Sequence, residues 1–147
     1  MKGNHITSQI LVQWLCPILR RMPQLDHLAL SNNLIANTAI PPLVQSVSAT
    51  VPDLYLGTNE ITEFGMLILV SVPGIKNIGL FGNLISQAAV RRAADIMSNS
   101  TSLQNFLCTT AQSPSADELE QITKVLHGTG MSVHVTTECD WIFERLS

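Results

Sequence analysis

Three side chains near the end of the chain, His127, His134 and Cys139, are of types that ligate metals, and Asp140 beside Cys139 raises the question of a thiol nucleophile. Such a nucleophile needs a general base within hydrogen-bond reach, and His134 is only near in sequence. A cysteine with no fixed base is most often a small buried hydrophobe. The spacing of His127, His134 and Cys139 matches no zinc pattern. The chain also lacks G-x-x-x-x-G-K-[ST], G-x-S-x-G, H-E-x-x-H and G-x-G-x-x-G. The expectation is therefore no catalytic residue, no metal and no cofactor. The remaining residues with chemistry are polar or aromatic and sit in an internal repeat.

That repeat begins at Leu25-x-x-Leu28-x-Leu30-x-x-Asn33-x-Ile35. It returns as Val51-x-x-Leu54-x-Leu56-x-x-Asn59-x-Ile61 and as Ile75-x-x-Ile78-x-Leu80-x-x-Asn83-x-Ile85. The copies thus open at Leu25, Val51 and Ile75, a nearly constant period. The L-x-L core alternates with the period of a strand that buries one face. A strand this short needs a neighbour, and stacked copies supply one. The turn after each strand leaves backbone groups without ladder partners. An amide side chain, with two donors and an acceptor, can satisfy them from inside. Asn33, Asn59 and Asn83 are expected to form such a ladder, with Asn4 as an earlier rung about one period before Asn33.

The register also writes out the outward residues in columns. One reads His27, Asp53, Asn77, Asn105 and Ser132. The middle one reads Ala29, Tyr55, Gly79, Leu107 and His134, and the third Ser31, Gly57, Phe81, Thr109 and Thr136. This face is nearly uncharged and gathers Tyr55, Phe81 and Leu107, the kind of residue that anchors protein interfaces. Gly57, Gly79 and Gly82 are expected to leave room beside them for an inserted side chain. The candidate partner-binding residues are Tyr55, Phe81, Leu107, Asp53, Asn77, His27 and His134.

Composition sets bounds. The 147 residues are 46% hydrophobic, only 13% charged, and carry a net charge of −3. That length supports one domain with a real core. Its eight Lys and Arg form no basic stripe, which argues against nucleic acid. No apolar run is long enough to span a membrane. Ile10 to Leu19 is interrupted by Gln13 and Pro17 and lacks the flanks of a signal peptide. Three widely spaced cysteines without C-x-x-C fit reduced thiols in the cytoplasm.

The elements follow from periodicity. Segment 7 to 21 predicts a helix that Pro17 bends or stops early. A second helix is expected near 40 to 49, with Pro41 and Pro42 at its start. The segment from Thr62 to Val72 is apolar nearly all round and predicts a helix buried on two sides. Gln87 to Met97 predicts a helix with Ser86 as N-cap. Ser115 and Glu118 form a capping box for a helix to about His127, closed by Gly128. At Ala111 the asparagine is lost. A last strand is expected over Ser132 to Thr136, then a short terminal helix over Asp140 to Leu146 that covers the sheet edge.

These copies resemble the leucine-rich repeat. A period long enough for a strand and a full α-helix resembles its ribonuclease-inhibitor-like subclass, which includes the sensor regions of NOD-like receptors. The resemblance covers about residues 4 to 136 and is strongest from 25 to 108. It implies an α/β leucine-rich-repeat solenoid, a horseshoe segment with a parallel concave sheet and convex helices. Residues 1–147 form one domain: 1–24 a partial repeat, 25–110 regular repeats, 111–147 a degenerate repeat and C-terminal cap. The partial first repeat implies the C-terminal part of a longer repeat protein; the alternative takes Met1 as the natural start and the first helix as a cap. The implied role is protein recognition by the concave face: ligand sensing or autoinhibition in cytoplasmic innate immunity, with a separate protein or another domain of the same chain as partner. The alternative is a free-standing inhibitor or bacterial effector that binds a host protein. The GTPase-activating proteins of Ran share the subclass, but their Arg belongs to an early repeat with no counterpart here, so no residue is carried over.

Overall fold

A computed structural model of the chain describes residues 3–22, 24–47 and 51–147. Among these, six strands form one sheet: β1 His27–Ala29, β2 Asp53–Tyr55, β3 Asn77–Ile85, β4 Asn105–Thr110, β5 Met131–Val135 and β6 Asp140–Arg145. The first four are parallel neighbours in the register set by the repeat, with Leu28, Leu54, Ile78 and Phe106 side by side. Each L-x-L pair points inward and is buried.

The helices cover that inner face. Helix α1 is one run made of Ser8–Ile10, a π-helical turn Leu11–Leu15 and Cys16–Leu19. The Cys16 N–H donates to the Leu11 carbonyl, five residues back. Pro17 has no N–H and its ring would crowd the carbonyl four residues before it; the widened turn gives it room, so the run neither stops nor breaks there. Helix α2, Ile40–Val47, follows a 3-10 turn at Asn37–Ala39 and carries Pro41 and Pro42 in its first turn, where no intrahelical donor is needed. The expected extension to residue 49 lies outside the described residues, as does Met1. Helix α3 is Glu63–Val70 and α4 is Gln87–Ser98. Helix α5, Ala116–Leu126, starts on a complete capping box: Glu118 N–H donates to Ser115 Oγ at 3.2 Å, and Ser115 N–H to Glu118 Oε2 at 2.7 Å. Apolar residues of sheet and helices merge in one core from Leu11 to Phe143.

Asn33 and Asn59 lie in the bends after β1 and β2, and Asn83 in the irregular second half of β3. Asn59 Nδ2 donates to its own Leu56 carbonyl at 3.0 Å and to Leu30 of the preceding unit at 2.9 Å. Asn83 does the same with Leu80 and Leu56. In return the N–H groups of Ile6, Ile35 and Ile61 donate to the Oδ1 atoms of Asn33, Asn59 and Asn83. Asn4 is exposed, and the carbonyl three residues before it lies outside the described residues.

The architecture departs from the expected solenoid with an all-parallel concave sheet. The sheet is open and mixed, in the order β1-β2-β3-β4-β6-β5, and β6 is antiparallel to both its neighbours. Residues 140 to 145 are a strand rather than a terminal helix. Trp141 and Phe143 point inward and are fully buried, while Ile142 and Glu144 point outward, a period of two. A tight turn sends this strand back. Cys139 N–H donates to the Thr136 carbonyl at 3.1 Å and Thr136 N–H to the Asp140 carbonyl at 3.0 Å, with Cys139 at φ +64°. The hairpin then inserts its second strand against β4. Where the asparagine fails, a buried pair takes over: Trp141 Nε1–H donates to Thr110 Oγ1 at 3.0 Å, and Thr110 donates on to the Gln112 carbonyl.

Candidate functional site

With the helices on one face, the other face of the sheet is open. Its first row is joined side chain to side chain. His27 Nδ1 lies 2.6 Å from Asp53 Oδ2. Asn77 Nδ2 donates to Asp53 Oδ1, and Asn105 Nδ2 to Asn77 Oδ1, each at 2.6 Å. One side chain from each of the four parallel strands is thereby linked, and both oxygens of Asp53 are engaged. Such a chain fixes side-chain positions across the sheet. His27, Asp53 and Asn77 were expected to share a column, and they do; Asn105 belongs with them and is the member the candidate set lacked.

The middle row is apolar. Tyr55 and Leu107 flank Gly79 on its two sides, and Ile142 of β6 stands beside Leu107. Tyr55 is 37% exposed and Phe81 39%. Phe81 lies two residues beyond Gly79 on β3, a diagonal neighbour of Tyr55. A Cβ on Gly79 would come within 2.9 Å of the Tyr55 ring. The space expected beside Gly79 for an inserted side chain is therefore taken by the Tyr55 ring. Gly82 has φ +70°, which suits a residue without Cβ in the irregular stretch of β3 between Leu80 and Ile85.

The hairpin changes the rest of the face. Glu144, not Ser132, stands next to Asn105, and Ile142, not His134, stands next to Leu107. His134 is on the edge strand, one position further out than its column implied. Asp140 adds a carboxylate opposite Thr109, whose hydroxyl donates to it at 2.6 Å. The face is less neutral than the columns alone suggest. Ile142, Glu144 and Asp140 do not appear among the columns because Trp141-Ile142-Phe143, three apolar residues in a row, gives no alternation that marks a strand.

The nucleophile and metal candidates do not converge. Cys139 Sγ lies 3.2 Å from Ser113 Oγ in the hairpin turn. Among the described residues no group of three or more His, Cys, Asp or Glu could hold a metal ion. Cys108 is fully buried, and that burial, with the Asp140 charge nearby, pushes its thiol far above the usual range. No helix among the described residues is long and apolar enough to cross a membrane.

A second apolar surface lies on the helix side. A groove of about 770 Å³ runs between Val44, Phe64, Leu67, Ile68, Val72 and Ile96. The all-round apolar helix α3 thus buries Met66, Leu69 and Val70 in the core and gives Leu67 and Ile68 to this groove, with Phe64 exposed.

No protein-family model, curated protein or solved structure matches the chain.

Proposed function

We propose that the open face of the sheet is a protein-recognition surface with Tyr55, Phe81 and Leu107 as its apolar anchors. The observation that carries this reading is their contiguity. With Ile142 they form one patch around Gly79, rimmed by the hydrogen-bonded polar row and by Glu144 and His134. An apolar centre with a polar rim is the usual anatomy of an interface. Aromatic side chains already packed on a sheet lose little freedom on binding. A binding module rather than an enzyme also accords with a buried, protonated Cys108 and with scattered histidines.

The resemblance of residues 25 to 108 to the leucine-rich repeat favours sensing or autoinhibition inside a larger cytoplasmic receptor, as in NOD-like receptors. The three free cysteines are compatible with a reducing compartment. A free-standing inhibitor or effector would use the same face on a separate protein. The test is affinity capture from cell extract beside a Tyr55→Ala/Phe81→Ala double variant with unchanged circular dichroism. Loss of one specific partner in the variant is the expected result. Equal capture by both forms would overturn the proposal.

A further inference from the structure

The polar row on the open face has a direction. Asp53 is a carboxylate and can only accept. Asn77 therefore turns its Nδ2 toward Asp53, at 2.6 Å, which leaves its Oδ1 to the next strand. Asn105 in turn offers its Nδ2 to that oxygen, again at 2.6 Å. Every donor in the row points back to Asp53, and the row ends on an acceptor, Asn105 Oδ1, which takes no hydrogen bond among the described residues. Opposite Asn105 on β6 stands Glu144, exposed, its carboxylate likewise without a donor or ion pair among the described residues. Two acceptors are thus cross-strand neighbours with no donor for either. The next pair along the same strands is Leu107 and Ile142, both half-buried. The pair after that is closed, Thr109 donating to Asp140. The outward positions of the six strands hold three carboxylates, Asp53, Asp140 and Glu144, and no Lys or Arg. Arg145 is committed to three carbonyls, and Lys76 precedes β3, two strands from Glu144.

We propose that Glu144 and Asn105, with Leu107 and Ile142 beside them, take an arginine side chain of the protein partner; this rests on the role of the open face as a recognition surface. A guanidinium is planar and carries five N–H donors, enough to meet a carboxylate with two and still reach an amide oxygen. Its methylene stem is apolar and lies well along an apolar strip that ends in acceptors, which is what Ile142 and Leu107 provide. A lysine brings the charge without the fork. The three carboxylates, unopposed by any Lys or Arg on the sheet face, favour the approach of a basic segment. Tyr55 and Phe81 are then placed to receive the apolar residues that flank the arginine.

Two peptides test this: acetyl-Leu-Arg-Phe-amide, and the same peptide with citrulline, the neutral isostere, in place of arginine. Binding to the isotope-labelled full chain is read from amide shifts by NMR. The arginine peptide should bind with about millimolar strength, shift the Asn105 side-chain amide and the Glu144 N–H, and bind about fivefold tighter than the citrulline peptide. Glu144→Gln should reduce it to the citrulline level, and so should salt at about 0.5 M. Glu138→Gln, which removes an exposed carboxylate near the hairpin turn, should leave it unchanged. The Tyr55→Ala/Phe81→Ala variant separates this site from the aromatic anchors. Equal binding of both peptides to the native chain, with both lost in that variant, would keep the recognition surface and overturn the arginine site. An arginine preference kept in that variant and lost in Glu144→Gln would uphold the arginine site and remove the aromatic anchors. No binding of the arginine peptide, or a preference untouched by Glu144→Gln, would overturn the proposal.

Discussion

Replacing Asn59 by alanine isolates the ladder's contribution. Its side chain accepts from the Ile35 N–H at 3.0 Å and donates to the carbonyls of Leu30, Leu56 and Gly57 at 2.9, 3.0 and 3.3 Å. The losses are unequal. Leu30 still accepts from Asn33 Nδ2, and Leu56 from Asn83 Nδ2, both at 2.9 Å. The Ile35 N–H, in a fully buried residue, is left with no acceptor. An orphaned buried donor costs about 1–3 kcal/mol and each weakened carbonyl about 0.5 more, so Asn59→Ala should cost about 3 kcal/mol. Asn33→Ala orphans the N–H of Ile6, which is only partly buried at the sheet edge where water can replace the amide. It should cost about 1 kcal/mol. Asn59→Asp keeps the acceptor but turns a carboxylate oxygen toward three carbonyls, and should be at least as damaging as alanine. Urea unfolding gives the ranking: with a slope near about 2 kcal/mol/M, the midpoint for Asn59→Ala falls by about 1.5 M. Equal midpoints for Asn59→Ala and Asn33→Ala would refute the argument, because they would show that burial of the orphaned donor does not set the cost.

Arg145 donates to the carbonyls of Leu103, Thr129 and Ser100 at 3.0, 2.8 and 2.7 Å, tying β6 to two loops. A single ammonium cannot reach all three, so Arg145→Lys should lower stability by about 1–2 kcal/mol, read as a fall in the urea midpoint; an unchanged midpoint would show the clamp to be idle. Iodoacetamide on the native chain at pH 8 should label Cys139 first, with Cys16 and Cys108 modified only on unfolding. Native labelling of Cys108 at the rate of Cys139, measured by peptide mass, would contradict a buried thiol held protonated by its surroundings.

The repeat is legible in the sequence because one pattern constrains two things at once. L-x-L followed by asparagine sets both the inward face and the turn, so the columns from His27 to Asn105 come out in their true register. The hairpin escaped for two reasons. Trp141-Ile142-Phe143 is too short an apolar run to separate period two from period 3.6. Its turn also carries no glycine or asparagine; Cys139 takes the positive φ instead, so the usual turn signal is missing. An unbroken period from Cys108 to Val135 then suggested direct neighbours where β6 intervenes. The filled space at Gly79 was hidden for a different reason: a glycine in a column does not reveal whether the side chain beside it lies over the gap or stands clear.

The side chains that link neighbouring units reach in both directions along the chain. The ladder reaches back, Asn59 and Asn83 completing the turns of the units before them. The helix starts reach forward. Ser8 Oγ accepts from the Ala36 N–H at 2.8 Å, and Asn37 Oδ1 from the N–H groups of Thr62 and Gly65 at 3.0 and 3.2 Å. Peeling a unit from either end therefore strips partners from the unit that stays. An array joined only by apolar contacts can fray one unit at a time. Here the interlock ties the melting of one end to the melting of the next, and the chain is built to come apart in a single step.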